Sequence, residues 1–144
     1  MLTRRNGTKP REKRAPVRSK YKNARTEIDG ILFASKAEAQ YYVDLKLALA
    51  EGKIAHFERQ VPFTLQERYV SPSTGRVVRP MVYISDFVVT GLDGDEAIVD
   101  VKGASGYQTE VFKIKKKLFE PKFGPLWVEH KFRWPIPKPN TSTR

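Results

Sequence analysis

Three residues of this chain, Asp86, Asp100 and Lys102, have types and spacing that suit chemistry. Asp86 and Asp100 each interrupt an apolar, β-branched run, Met81 to Thr90 and Ala97 to Val101, where a hydrophobic residue would be expected. Side chains alternate faces along a strand, so Asp100 and Lys102 project to the same side. Two carboxylates facing one another across strands repel, and burying them without a partner is costly. A divalent cation removes both objections. Hard oxygen ligands at this spacing suit Mg²⁺, which keeps several waters and takes one or two protein carboxylates. The same residues also suit a solvated sheet edge, with Lys102 as a surface ion-pair partner worth roughly 0–1 kcal/mol.

Whether Asp86 joins the other two depends on a turn. The runs flank Gly91-Leu92-Asp93-Gly94-Asp95, so the stretch from Met81 to Gly103 reads as a β-hairpin. If paired residue numbers sum to 186, Asp86 lies opposite Asp100. A two-residue Asp93-Gly94 loop gives 187 and puts the two on opposite faces. The expectation is therefore a three-residue or bulged loop.

Other elements must bring further groups to this hairpin. Thr26 to Phe33 reads as a short hairpin turning at Asp29-Gly30. Ser35 to about Glu51 reads as a helix stopped by Gly52, with Ser35 and Glu38 forming a capping box. Glu38, Tyr42, Leu45 and Leu49 fall on one helical stripe, which places Glu38 at its inward-facing top. Ile54 to Tyr69 reads as strand broken at Pro62, followed by a loop at Ser71 to Gly75. Thr109 to Glu120 reads as a helix with Val111, Ile114 and Leu118 facing the core and Pro121 ending it. Leu126 to Trp134 reads as a last strand, and Pro135, Pro137 and Pro139 exclude regular structure after it. The order is helix, strands, carboxylate hairpin, helix, strand: an α/β arrangement with a mixed sheet flanked by helices.

Charge divides the chain. Net charge is +11, of which residues 1–25 carry +9 and the remainder +2. Residues 1–20 thus read as a flexible basic arm, residues 21–134 as one domain, and residues 135–144 as a Pro-rich tail. The arm's natural counterpart is a polyanion, with Arg4, Arg5, Arg11, Lys13, Arg14, Arg18 and Lys20 as candidate phosphate binders. Lys113, Lys116 and Lys117 on the second helix are a solvated face or a further phosphate track. Cysteine is absent, so there is no disulfide framework, thiolate zinc site or cysteine nucleophile, and two histidines do not make a histidine-rich metal site. No apolar run approaches the ~20 residues of a membrane span and no secretory segment follows Met1, so a cytoplasmic, non-membrane protein is expected.

Glu38 on the first helix, Asp86 in a strand, Asp100-x-Lys102 in the next strand and a following basic helix together resemble the PD-(D/E)XK nuclease superfamily. More narrowly, SKYKN, TEIDGILFASKAEAQYY, ERQVPFTL, ISDF and VDVKG are similar to small phage-encoded proteins of that class. The likeness extends to Holliday-junction resolvases and to the nuclease subunit of some transposition systems, which show a similar glutamine between the first helix and the aspartate strand. This chain has Ser85-Asp86 in place of Pro-Asp, and Asp100 rather than Glu in the second acidic position.

The resemblance implies a restriction-endonuclease-like core of order α-β-β-β-α-β. It implies that Asp86 and Asp100 bind Mg²⁺ or Mn²⁺ with the Val101 carbonyl, and that Glu38 binds through water or supports a second ion. Lys102 would orient or deprotonate the attacking water, and Gln60 would steady that shell. The implied activity is metal-dependent DNA endonuclease, on branched DNA or Holliday junctions in phage recombination or replication, with a homodimer as the implied assembly. The alternative is a non-catalytic nucleic-acid-binding accessory protein that keeps the fold.

Overall fold

A computed structural model describes residues 25–137. The first element is a small hairpin, β1 (Thr26–Ile28) and β2 (Ile31–Phe33). Its two-residue turn, Asp29 at φ 54° and Gly30 at φ 74°, has the positive dihedrals that a type I′ turn needs. Helix α1 (Lys36–Ala50) follows, capped by Ser35, whose hydroxyl accepts from the Glu38 N–H at 3.1 Å. Gly52, at φ 70°, ends it.

The central sheet holds β3 (His56–Gln66), β6 (Met81–Thr90), β7 (Glu96–Val101) and β8 (Leu126–Glu129), in the order β3-β6-β7-β8. A side hairpin, β4 (Tyr69–Val70) and β5 (Val77–Val78), flanks Ser71 to Gly75, which is loop as expected. The first two pairings of the central sheet are antiparallel and β7–β8 is parallel, as the crossover through helix α2 (Glu110–Phe123) requires. The protein is thus α/β with a mixed sheet. On β7, Ala97, Val99 and Val101 join one hydrophobic cluster with α1, while Ile98 packs into a second with α2. The helices therefore cover opposite faces.

Several expectations need correction. Leu49 is 42% exposed, and α1 buries Ala39, Tyr41, Tyr42, Leu45 and Ala48 instead. The two alanines let the helix approach the sheet closely, so the inward stripe follows small residues as well as large ones. On α2 the rotation is more complete: Val111, Ile114 and Leu118 are exposed, and Phe112 and Phe119 are the buried residues. Each aromatic buries more area than an aliphatic side chain. Here the rings meet aromatics from the strands, Phe63–Phe119 at 5.0 Å and Tyr83–Phe119 at 5.5 Å.

Pro121 lies inside α2 rather than after it. The final turn is held by Phe123 against Phe63 at 5.1 Å and by Lys122 Nζ donating to the Leu65 carbonyl at 2.7 Å. β3 runs through Pro62 unbroken; its φ turns positive at Gln60, and its register with β6 shifts between Thr64 and Gln66. β8 stops at Glu129, where Arg133 folds back in a bidentate pair at 2.9 Å and the chain leaves the sheet. Ile136 is buried in the α1-side core, so the folded unit extends past residue 134.

Candidate active site

The β6–β7 ladder pairs Phe87 with Val99, Val88 with Ile98, Val89 with Ala97 and Thr90 with Glu96, every pair summing to 186. The turn is closed by the Gly91 N–H donating to the Asp95 carbonyl at 2.8 Å, leaving the three-residue loop Leu92-Asp93-Gly94 with Gly94 at φ 88°. A three-residue loop ending in a left-handed residue is a common hairpin closure. One step beyond the last pair, Asp86 stands opposite Asp100. No direct ladder bond joins them; Asp86 Oδ2 accepts the Val101 N–H at 2.7 Å. In an extended residue the N–H and C=O point the same way, so the Val101 carbonyl is also directed toward β6.

Asp100 is 5% exposed. Its Oδ1 accepts from the Tyr83 hydroxyl at 2.6 Å. Lys102 Nζ stands 2.5 Å from Oδ2, so the second carboxylate oxygen is held in an ion pair. The ammonium also lies 4.1 Å from the Phe112 ring centroid, which seats Lys102 between Asp100 and α2. Glu38 comes from the other helix. It is half-buried at the start of α1, beside the Ala34 backbone. The Glu38 N–H serves the helix cap through the Ser35 hydroxyl, which leaves its carboxylate free of that duty.

Electrostatics tie these groups into one unit. Burial pushes Asp86 up to about 7, the charges of Asp100 and Glu38 push in the same direction, and the Val101 N–H and Lys102 oppose them. Glu38 is also raised, first by burial and then by Asp100, against the Ala34 backbone, Arg59 and Lys102. Three carboxylates set against Lys102 and, on the Glu38 side, Arg59 leave the site short of positive charge.

Do these residues suit a divalent cation? Among the described residues no group of three or more His, Cys, Asp or Glu side chains stands together as a metal cluster. The direct donors would be Asp86, Asp100 and the Val101 carbonyl, with Glu38 behind them. Two carboxylates, one carbonyl and remaining waters is a set that Mg²⁺ accepts. The donor chemistry of Asp86, Asp100 and the Val101 backbone, brought together at the end of the ladder, would suit such an ion.

Gln60 would be the partner of Asp86 in the β3–β6 register, between Arg59↔Phe87 and Val61↔Ser85, but the pairing lapses there. Gln60 is exposed and its φ is 50°, a left-handed conformation that few side-chain-bearing residues adopt. The faces change at this point. Phe57, Phe87 and Val89 pack with α1, whereas Phe63, Leu65 and Tyr83 pack with α2 although all six are odd-numbered. A residue at positive φ inside a strand turns the chain as a bulge does.

Two neighbours of the site are not legible in the sequence. Tyr83 lies three residues before Asp86, paired with Phe63 on β3, and only the change of face brings its hydroxyl to Asp100. Arg59 lies 4.7 Å over the Phe33 ring, with Nε buried and unpartnered, and its charge reaches Glu38. Of the α2 lysines, Lys113 pairs with Glu110 at 2.9 Å and Lys116 with Glu120, while Lys117 is exposed. Arg4, Arg5, Arg11, Lys13, Arg14, Arg18 and Lys20 lie outside the described residues. No described helix is long and apolar enough to cross a membrane.

A family model described as a protein of unknown function (DUF1064) matches residues 18–139. The chain belongs to that family. No curated protein and no solved structure gives a significant match.

Proposed function

We propose that this protein is a metal-dependent endonuclease with a restriction-endonuclease-like core, hydrolysing DNA phosphodiester bonds, and that branched DNA such as a four-way junction is its preferred substrate. The observation that carries this reading is the 186 register, which sets Asp86 opposite Asp100 with Lys102 on the Asp100 side. Bound at Asp86, Asp100 and the Val101 carbonyl, Mg²⁺ or Mn²⁺ would supply charge stabilisation at the phosphodiester and a more acidic water. The chain's own groups hold that arrangement. The Val101 N–H fixes Asp86, the Tyr83 hydroxyl fixes Asp100, and Phe112 limits where Lys102 can reach. Lys102 orients the attacking water, Glu38 adds negative charge from α1, and Gln60 lies alongside Asp86. The branched-substrate detail rests on the family resemblance alone.

The test is cleavage of supercoiled plasmid, linear duplex, single strand and four-way junction with Mg²⁺, Mn²⁺ or EDTA. Cutting should require metal and fall at least about 100-fold in Asp86→Asn or Asp100→Asn, the order of loss expected when one electrostatic catalytic group is removed. DNA binding should persist or improve, because each change removes a negative charge. Retained cleavage in either variant sinks the site assignment. Binding without cutting under any metal would leave an accessory nucleic-acid-binding protein on this fold.

A further inference from the structure

A cavity of about 780 Å³ lies at the hairpin-turn end of the sheet, lined in part by Trp127, Trp134, Asp93, Asp95, Glu96 and Lys53. Five residues of strand separate Gly91 and Asp95 from Asp86 and Asp100, a distance on the order of 16 Å, and none of Glu38, Asp86, Asp100 and Lys102 lines the cavity. The cavity is therefore separate from the candidate active site. Its size falls in the range of pockets that take a ligand or a peptide side-chain cluster.

The lining says what sort of ligand. Indole faces attract cations more strongly than other aromatic rings do. Three carboxylates share the rim with one lysine, and Lys53 is already paired with Glu51 at 2.6 Å. The turn is shaped to hold this arrangement. A Cβ on Gly91 would lie 2.8 Å from Asp93 Oδ1 and 2.9 Å from the Trp134 ring, so only glycine lets the carboxylate and the indole close together over the turn. An aromatic cavity with an acidic rim fits a cationic segment.

The chain itself holds such a segment. Residues 1–24 precede the described structure and contain nine lysines and arginines against Glu12 alone, with Pro10 and Pro16. At about 3.3 Å per residue they reach up to ~80 Å. A domain of this size is roughly 35 Å across, from a radius of gyration near 13 Å. The arm can therefore reach the cavity from any point of attachment. We propose that the basic N-terminal arm docks on the acidic tryptophan cavity of its own chain, and that a polyanion releases it. The cavity would then act as an internal competitor that keeps the arm from weak anions. This inference does not depend on the nuclease reading.

The composition supplies a direct test. The chain has no cysteine, and its two tryptophans are Trp127 and Trp134. A bimane label on Ala15→Cys in the full chain is quenched by tryptophan only at close approach. Quenching is expected at low ionic strength. It should be relieved by about 0.5 M salt, where the Debye length is only a few Å, by a duplex oligonucleotide, and by the double variant Asp95→Asn, Glu96→Gln. Both acidic residues are exposed, and an unchanged far-UV spectrum will show that the variant is folded. Equal bimane emission in parent and double variant overturns the proposal. So does quenching of a label at Thr141→Cys with none at Ala15→Cys, which would make the C-terminal segment the occupant.

Discussion

Asp86 carries two duties that conflict. Its Oδ2 ties down the Val101 N–H at the end of the β6–β7 ladder, and its charge faces Asp100 and Glu38, which outweigh the attraction of Lys102. The ordinary carboxyl value of 3.8 rises to about 7 in the fold. A raised carboxyl binds its proton more tightly in the folded than in the unfolded chain. Its stabilising contribution is complete below about pH 4 and is lost as pH rises to about 7. Above that, the ionised group costs the fold on the order of a few kcal/mol. In EDTA, Asp86→Asn is therefore expected to be more stable than the parent at about pH 8, with the advantage fading toward pH 4. Urea unfolding across that range measures it, and a constant difference would mean that Asp86 does not titrate in this window. Mg²⁺ should shrink the advantage at the high-pH end by stabilising the parent.

At the scale of elements, the informative features are a strand that breaks its own alternation and a helix that turns the unexpected face inward. Gln60 holds φ 50° where β3 passes Asp86. Glycine adopts that conformation without the side-chain penalty, so Gln60→Gly should raise stability by up to about 1 kcal/mol. If the side chain steadies the active site, cleavage will fall in the same variant. Stability and activity moving in opposite directions is the expected signature, and unchanged cleavage would remove Gln60 from the site. For α2, Phe119→Ala should cost about 3–5 kcal/mol, because Phe119 is fully buried among Phe63, Tyr83 and Phe123. Val111→Glu, on the exposed face, should stay within about 0.5 kcal/mol. Denaturant midpoints of the two variants decide which face packs. The sequence showed that α2 is amphipathic but not which stripe faces in, because aliphatic and aromatic positions alternate around the helix.

At the scale of the molecule, most of the net charge lies on residues 1–24, which precede the described structure. The family match begins at residue 18, so most of the basic arm precedes the matched region. Deleting residues 1–20 removes eight lysines and arginines and only one acidic residue. DNA binding should weaken, and the slope of log affinity against log salt should fall by about 0.9 for each phosphate that the arm no longer neutralises. An unchanged slope in binding isotherms would show that the arm does not touch phosphate. The described domain would then have to bind DNA through exposed residues such as Lys117.

The sequence by itself determined what is local. Turn residues and the two-residue strand period defined the hairpin, and the need for a three-residue loop followed from arithmetic on residue numbers. The capping pair Ser35 and Glu38 marked the start of α1, and the Asp-Gly turn marked the first hairpin. Each rests on interactions within a few residues, which the order of side chains specifies. Only the tertiary structure decided which distant groups share the site. Tyr83 reaches Asp100 because the β3–β6 ladder changes face at Gln60, and Glu38 feels Asp86 because α1 covers one face of the sheet. Phe112 rather than Val111 faces inward because aromatic side chains from separate strands meet there. Packing between elements set these outcomes, and it depends on the shapes of residues far apart in the chain.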